Sequence, residues 1–150
     1  GLPEPSPEHY VEDIALRSRG SMDGVLKLTI PGRAETRQLF EFKTSNIMKL
    51  SKLKDLDLDA FRKTWPDYYV QVQEYMRMSG LRLAVVLFMA MGYPWELREF
   101  HVPYDPAIAQ DIANKYRLAV QSDMPQPCCA PGSKTARACE MRLVCPVGQA

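Results

Sequence analysis

The chain has 150 residues, a length that predicts a single domain with its own hydrophobic core rather than two substantial domains. Its composition, with 46% hydrophobic and 25% charged residues, is ordinary for a globular protein. The formal net charge of +1 excludes a globally basic surface, so a polyanionic partner would need positive charge gathered locally in a groove.

The N-terminal residues do not resemble a signal peptide. Residues 1–9 form a predicted flexible lead-in, which is acidic, rich in proline and without an apolar segment. The longest apolar run, LAVVLFMAMGYPW, is too short to cross a membrane and is interrupted by Gly92 and Pro94. These features predict a cytoplasmic protein with no membrane partner.

Alternation of apolar and polar residues predicts strands in the first third of the chain. Residues 12–45 are typical of an antiparallel meander of two or three strands, in which SMDGVLKLTI (Ser21 to Ile30) and RQLFEFKTS are joined by a Pro-Gly turn. The next residues, 46–63, are rich in charge. They predict either a solvated linker or short helix, or a mobile lid whose lysines face a phosphate backbone.

The remaining elements alternate between helices and strands. A helix is predicted from an N-cap at Asp67 to a stop at Gly80, followed by a buried strand in LRLAVVLFMAM and a further strand in WELREFHVPY. A second amphipathic helix follows an N-cap at Asp105. This order predicts an α/β fold with a mixed sheet in a core of residues 1–124, followed by a cysteine-rich tail, residues 125–150.

The stretch QLFEFKTSN places an acid and a base within an otherwise apolar strand. Glu41 and Lys43 are two residues apart, so they project from the same face. An ion pair on a solvated face would explain these two residues alone. However, a hairpin can bring Asp23 beside Glu41, and Mg²⁺ is usually held by one or two carboxylates together with waters and substrate phosphates. The three side chains therefore predict a site for phosphodiester hydrolysis, in which Lys43 holds the attacking water or stabilises the phosphorane.

Three motifs follow one another in a recognisable order. They are Asp23 in GSMDGVLKL, Glu41 and Lys43 in FEFKTSN, and Gln71 with Tyr75 in YYVQVQEYMRMSG. Together, over roughly residues 12–91, they resemble the PD-(D/E)XK nuclease superfamily, and specifically its RecB-like exonuclease branch. The resemblance implies a restriction-endonuclease-like core, with a central mixed β-sheet flanked by helices.

The resemblance also assigns roles to individual residues. It implies that Asp23 and Glu41 bind Mg²⁺ or Mn²⁺, with the backbone carbonyl of Phe42 as a further ligand. Lys43 would position or activate the water nucleophile, Gln71 would reach from the helix toward the site, and Tyr75 would contact DNA or brace the site. Glu12 lies where related enzymes often carry an additional acidic residue, and is a further candidate ligand. For Tyr75, as for Tyr68, Tyr69 and Met76, core packing is the alternative interpretation, whereas an amide such as Gln71 costs free energy to bury unless it has a partner.

The tail contains all four cysteines of the chain, Cys128, Cys129, Cys139 and Cys145. Clustered thiolates without an export signal predict a metal site, with Zn²⁺ or an iron–sulfur cluster as the occupant and reduced free thiols or a disulfide as the alternative. Some RecB-like nucleases carry a 4Fe-4S cluster that ends in C-x2-C-x5-C. Here the x5 spacing is present, but Ala136 stands where the x2 partner would be.

These observations predict a metal-dependent DNA exonuclease of the kind that phages and mobile elements encode. Single-stranded ends are the favoured substrate over duplex, because a single domain of modest charge has little surface with which to grip a duplex. Action alone and action with a recombination or helicase partner both stay open, and the cytoplasm would be that of the host for a phage protein. Two rivals stay open: a non-catalytic nucleic-acid-binding module with the nuclease fold, and a small zinc-containing interaction protein.

Overall fold

The computed structural model describes residues 9–29, 31–92, 95–122 and 133. The chain divides after Asn114 into two compact units. All the strands and the first three helices described below lie in the first unit, and the last helix runs across the division. The boundary that the sequence predicts after residue 124 lies outside the described residues, as does almost all of the predicted cysteine-rich tail.

The first two strands form a hairpin of their own. Strand β1 (His9–Asp13) pairs antiparallel with β2 (Ser18–Met22) as a two-stranded sheet. The chain bends at Asp23 and enters β3 (Gly24–Leu28), which belongs to a different sheet. The prediction of one strand from Ser21 to Ile30 is therefore wrong, because its two halves pair with different partners on either side of Asp23.

The second sheet has four strands in the order β3-β4-β5-β6, where β4 is Thr36–Asn46, β5 is Leu83–Met91 and β6 is Leu97–Pro103. Strands β4 and β5 are parallel, and the two outer pairs are antiparallel. A parallel pair requires a long crossover, which the intervening helices supply. The predicted α/β fold with a mixed sheet is confirmed.

Three helices make this crossover. The charge-rich segment contains two short ones, α1 (Ile47–Leu50) and α2 (Leu58–Thr64), in agreement with the short-helix interpretation. Helix α3 (Pro66–Ser79) ends at Gly80, whose φ of 75° is the left-handed conformation expected of a glycine stop. Its N-cap is Trp65 rather than the predicted Asp67, because proline is well suited to the first helical position.

Helix α4 (Pro106–Gln121) follows β6 and has the predicted cap. The Asp105 carboxylate accepts hydrogen bonds from the N–H groups of Ala107 (3.0 Å) and Ile108 (3.2 Å). The fully buried amide of Gln73 donates to the carbonyl of Pro103 and accepts from the Asp105 N–H, so α3 holds the connection between β6 and α4. No helix in the described part of the chain is long and apolar enough to cross a membrane.

An aromatic cluster fixes the start of α3 against the sheet. Trp65 stacks on Phe88 of β5 at 4.1 Å between ring centroids, and Phe61 of α2 stacks on Phe100 of β6 at 5.0 Å. All four rings are buried, and burial of such large rings is a main contribution to stability. The N-terminal turn of α3 is thereby held beside the central strands.

A charged network fixes the middle of α3 to the β1–β2 hairpin. Arg77 donates to both oxygens of Glu74 and also to Asp13 Oδ2 of β1 at 2.7 Å. The Ser18 hydroxyl of β2 donates to the same Glu74 carboxylate at 2.8 Å. Because Glu74 is buried, these donors are what make its charge tolerable there. The face of α3 that holds this network therefore stays in register with β1 and β2.

Candidate functional site

The bend at Asp23 brings its carboxylate to the edge of β4. The N–H of Phe42 donates to Asp23 Oδ2 at 2.8 Å, and the N–H of Asp23 donates to Glu41 Oε1 at 3.4 Å. Strand β3 pairs with β4 only as far as Phe40, opposite Gly24, so the backbone of Phe42 lies beyond that ladder and is free to bind Asp23. The structure thus places the two predicted acidic ligands side by side.

The backbone of Phe42 also faces this edge through its carbonyl. In a strand, the N–H and C=O of one residue point to the same side. Since the Phe42 N–H is directed at Asp23, its carbonyl oxygen is presented to the same side of β4. The ring of Phe42 lies on the opposite sheet face from Glu41 and is 38% exposed. The carbonyl is therefore positioned as the resemblance implies for a third oxygen ligand.

Lys43 is bound directly to Glu41. Its Nζ lies 2.6 Å from Glu41 Oε2, which confirms that the two side chains share one face of β4. The Glu41 side chain is 1% exposed and that of Lys43 is 18% exposed, whereas Asp23 lies at the surface. The site therefore combines one buried carboxylate, one carboxylate that faces solvent and a largely buried ammonium group.

Burial and the charges nearby shift the pKa values of this pair. Burial raises the pKa of Glu41 above its ordinary value and the Asp23 charge adds to this, although the hydrogen bond from Lys43 opposes it. For Lys43, burial alone would lower the pKa, but the hydrogen bond to Glu41 and the charges of Glu41 and Asp23 together raise it. Lys43 is accordingly a cation at neutral pH.

Two tyrosines of α3 surround Lys43. The Lys43 ammonium lies 5.4 Å from the centroid of the Tyr68 ring, within cation–π range. Tyr75 is close enough to contribute, as the smallest of the causes, to the raised pKa of Lys43. The sequence indicated Tyr68 only as a residue of the helix core, and its contact with Lys43 has no signal in the local pattern.

Gln71 and Tyr75 are joined to each other next to this group. The Gln71 amide Nε2 donates to the Tyr75 hydroxyl at 3.0 Å. The other amide atom, Oε1, is the one fully buried side-chain polar atom without a hydrogen-bond partner in the described part of the chain. A buried carbonyl without a protein donor costs free energy unless a water or a ligand satisfies it.

Gly20 of β2 is a site residue that sequence reasoning missed. A Cβ built at Gly20 would lie 2.2 Å from Cε1 of Tyr75, far inside the contact distance of any side chain. Glycine alone therefore lets the Tyr75 ring lie against β2. An isolated glycine inside a strand pattern is the signal that could have indicated this close approach.

Glu12, the other predicted carboxylate ligand, is not brought to this group. Glu12 lies on β1 opposite Arg19, with its side chain exposed. Across the described ranges, no set of three or more His, Cys, Asp or Glu side chains is grouped so as to hold a metal ion, and this excludes a cluster of Glu12 with Asp23 and Glu41. The four predicted cysteine ligands, Cys128, Cys129, Cys139 and Cys145, lie outside the described residues.

The donor set at Asp23, Glu41 and Phe42 suits a hard divalent cation. Mg²⁺ is commonly held by only one or two carboxylates, with waters and substrate oxygens in the remaining positions. Two adjacent carboxylates, one of them open to solvent, and a backbone carbonyl on the same edge meet this requirement. Soft ligands are absent from the group, which disfavours Zn²⁺ at this position.

The fold is α/β, with a four-stranded mixed sheet and its helices, and comparison with known proteins adds little to this. No protein-family model matches the chain, and no curated protein matches it. Among solved structures, the crystal structure of SSO0001 is similar to it, with a TM-score of 0.46 and 17% sequence identity. The similarity covers 87% of this chain and 52% of that one, so the chain spans about half the length of SSO0001.

Proposed function

We propose that the chain is a metal-dependent deoxyribonuclease of the PD-(D/E)XK superfamily, in its RecB-like exonuclease branch, and that its sheet is a restriction-endonuclease-like core. The observation that carries the proposal is the junction of Asp23 with Glu41 and Phe42, with Lys43 bound to Glu41. An ion pair on a solvated face, the ordinary explanation of an acid and a lysine on one strand, does not account for it. Glu41 is sealed from solvent, and a second carboxylate lies beside it.

The metal ligands are Asp23, Glu41 and the carbonyl of Phe42, for Mg²⁺ or Mn²⁺. Such an ion lowers the pKa of a bound water and offsets the charge that develops on a phosphate under attack. The protein holds these ligands in place along the edge of β4. Glu41 and Phe42 belong to β4, which is paired with β5 through both residues. The bend that carries Asp23 is anchored by the hydrogen bond from Phe42.

Lys43 supplies a positive charge next to the ligands. An ammonium group has three donors, and Glu41 Oε2 engages one of them. The remaining donors are available to hold the attacking water or a non-bridging phosphate oxygen. The Tyr68 ring below the ammonium group limits where it can move.

Gln71 and Tyr75 orient the substrate. The unpartnered Oε1 of Gln71 accepts a hydrogen bond from a water or from a nucleotide. The Tyr75 hydroxyl oxygen already accepts from Gln71, so its own hydrogen is left as a donor toward a phosphate. These roles explain why an amide and a phenol at i and i+4 are joined to each other near Lys43.

The substrate of this proposal is DNA, with single-stranded ends favoured over duplex, in phage or mobile-element DNA processing or recombination. A non-catalytic module with the same fold would bind DNA without turning it over. A zinc-containing interaction protein would depend on the cysteines, and an iron–sulfur cluster would depend on them too. The cysteines lie outside the described residues. Neither rival requires Asp23, Glu41 and Lys43 to be joined as they are.

A cleavage assay tests the proposal. Labelled single-stranded and duplex DNA would be incubated with Mg²⁺ or Mn²⁺ and with wild type, Asp23→Asn or Lys43→Ala. Asp23→Asn keeps an oxygen acceptor for the Phe42 N–H, so its loss of activity reports on the charge. Asp59→Asn and Lys27→Ala, at exposed positions on α2 and β3, are the matched controls. Equal degradation by all five proteins would overturn the assignment.

A further inference from the structure

A cleft of about 430 Å³ lies at the carboxyl end of β4, next to the group described above. One wall is formed by the last residues of β4, Thr44 to Asn46, and by Lys49 of α1, and the other by the turn that leads from Thr64 into α3. Tyr68 lines the cleft and also carries the Lys43 ammonium group on its ring. The cleft therefore adjoins the proposed catalytic lysine.

The N-terminal end of α3 opens into this cleft. Trp65, the N-cap residue, offers no side-chain hydrogen bond, and Pro66 has no N–H. The N–H groups of Asp67 and Tyr68, both of which line the cleft, are consequently without a capping side chain. Uncapped N–H groups and the positive end of the helix dipole favour an anion, and phosphate groups commonly occupy such positions.

Ser45 of β4 contributes a hydroxyl group to the same cleft. Ser45 is on the same face of β4 as Glu41 and Lys43, since the side chains of a strand alternate. It is 9% exposed, it lines the cleft, and its hydroxyl has no hydrogen-bond partner among the described residues. The hydroxyl is not among the fully buried polar atoms, so it keeps some exposure, and a ligand in the cleft can bond to it. The exposed ammonium of Lys49 has no ion-pair partner in the same part of the chain and adds a positive charge to the cleft.

We infer that this cleft binds a backbone phosphate of the nucleic-acid strand, adjacent to the phosphate that is cleaved. The inference rests on the proposed nuclease function for the identity of the strand, whereas the anion site itself rests on Ser45, Lys49 and the end of α3. A second anchored phosphate would fix the register of the strand over Glu41 and Lys43. The Asp67 carboxylate, which also lines the cleft, opposes binding, so its removal should strengthen binding.

Trp65 provides a direct readout, because it lines the cleft and is one of only two tryptophans in the chain. In a Trp95→Phe background, its fluorescence would be followed during titration with inorganic phosphate, then with the thymidine dinucleotide TpT and its 5′-phosphorylated form. Chelator is present throughout, so no cleavage occurs. A saturable change is expected with each ligand, and TpT should bind about as tightly as its 5′-phosphorylated form.

Variants assign the signal to the cleft. Lys49→Ala should weaken binding about tenfold, the effect of one charged hydrogen bond, and Ser45→Ala should weaken it by a smaller factor. Asp67→Asn should tighten it, and Lys52→Ala, outside the cleft, should leave it unchanged. The inference is overturned by the absence of a saturable change, by equal affinities of Lys49→Ala and Lys52→Ala, or by binding that requires a 5′-phosphate.

The outcome is separable from that of the cleavage assay. Phosphate binding without any metal-dependent cleavage would support the anion site and contradict the proposed nuclease function. Cleavage that depends on Asp23, combined with no binding in the cleft, would support the proposed nuclease function and contradict the anion site.

Discussion

Gly20 and Tyr75 are in such close contact that no side chain fits between them. A Cβ at Gly20 would lie 2.2 Å from Cε1, 2.9 Å from Cζ and 3.0 Å from the hydroxyl oxygen of Tyr75. Through this contact, the β1–β2 hairpin sets the position of the ring whose hydroxyl accepts from Gln71. The hairpin therefore acts on the site from a sheet that contributes no ligand to it.

Gly20→Ala is expected to lower both activity and stability. The methyl group forces the Tyr75 ring away from β2, and such overpacking typically costs about 1–3 kcal/mol of the free energy of unfolding. Displacement of the ring also moves its hydroxyl, so DNA cleavage should fall by more than the folded fraction does. Urea denaturation and the rate of cleavage measure the two effects.

The matched control is Gly24→Ala, at the start of β3. Its Cβ would lie 3.9 Å from the Phe40 ring, an ordinary van der Waals distance, so neither stability nor activity should fall. A Gly20→Ala protein with the stability and activity of Gly24→Ala would contradict the role of the close contact.

Lys43→Met is expected to destabilise the chain in the absence of metal. It leaves the sealed Glu41 carboxylate with only the long hydrogen bond from the Asp23 N–H, and removal of one partner of a largely buried ion pair costs about 3 kcal/mol. The double variant Glu41→Gln/Lys43→Met should recover most of this loss, since it removes the uncompensated charge. If the stability lost by the double variant were the sum of the losses of Glu41→Gln and Lys43→Met, Glu41 would not be paired with Lys43 in solution.

The sequence predicts the features that depend on local periodicity, but not those that depend on which elements contact each other in the folded chain. The shared face of Glu41 and Lys43 follows from the two-residue period of a strand, and Gly80 and Asp105 bound their helices as expected. The periodicity of SMDGVLKLTI does not show the break at Asp23. Its local signal is the Asp-Gly dipeptide, which is typical of turns, and the separate partners of β2 and β3 show that the strand ends there.

Other features depend on residues that are distant in sequence. The contact of Gly20 with Tyr75 and the cation–π contact of Lys43 with Tyr68 join elements that only the crossover brings together. The N-cap at Trp65 was within reach of sequence reasoning, because a proline at the following position is typical of a helix start. The same start leaves α3 uncapped and provides the cleft with its free N–H groups.

Metal ions should stabilise the folded chain if Asp23 and Glu41 are ligands. A divalent ion at a free concentration about 100-fold above its dissociation constant adds about 2.7 kcal/mol to the free energy of unfolding. For a chain of this size, that raises the melting temperature by about 5 °C or more, which differential scanning fluorimetry with Mg²⁺ or Mn²⁺ can detect. Chelator should reverse the shift.

Asp23→Asn should lose this shift without loss of stability in chelator. The amide keeps an acceptor for the Phe42 N–H, and it removes a negative charge that lies beside Glu41. In the control variant Asp59→Asn, the metal ion should raise the melting temperature as much as it does in wild type. An undiminished metal shift in Asp23→Asn would exclude Asp23 as a ligand.

Arg77 should contribute far more to stability than an arginine in an exposed pair. Arg77→Ala leaves the buried Glu74 carboxylate with only the Ser18 hydroxyl, at an expected cost of about 3 kcal/mol. Arg37→Ala breaks a pair whose side chains are 61% and 43% exposed, and should cost less than about 1 kcal/mol. Equal denaturation midpoints for the two variants would contradict the structural role of the Arg77 network.

The same network should make the chain sensitive to acid. The hydrogen bond from Arg77 holds the pKa of Asp13 below its ordinary value of 3.8. A lowered pKa in the folded state stabilises the chain above the ordinary value, and this contribution disappears as the pH falls through the lower, folded value. Asp13→Asn should therefore be less stable than wild type at neutral pH, and the difference should vanish in strong acid. A difference that is independent of pH would contradict this ionic role.

Gln71→Leu separates function from stability most sharply. The substitution removes a buried carbonyl that has no donor in the described protein, so the free energy of unfolding should stay level or rise, although the hydrogen bond to Tyr75 is lost. DNA cleavage should nevertheless fall by about 10- to 100-fold, the range found for groups that orient a metal site from its periphery. Gln73→Leu is the opposite control, because both ends of that buried amide are bonded, and it should lose stability. If Gln71 were merely a core residue, Gln71→Leu would cleave DNA at the wild-type rate, since nothing that binds the substrate would have been removed.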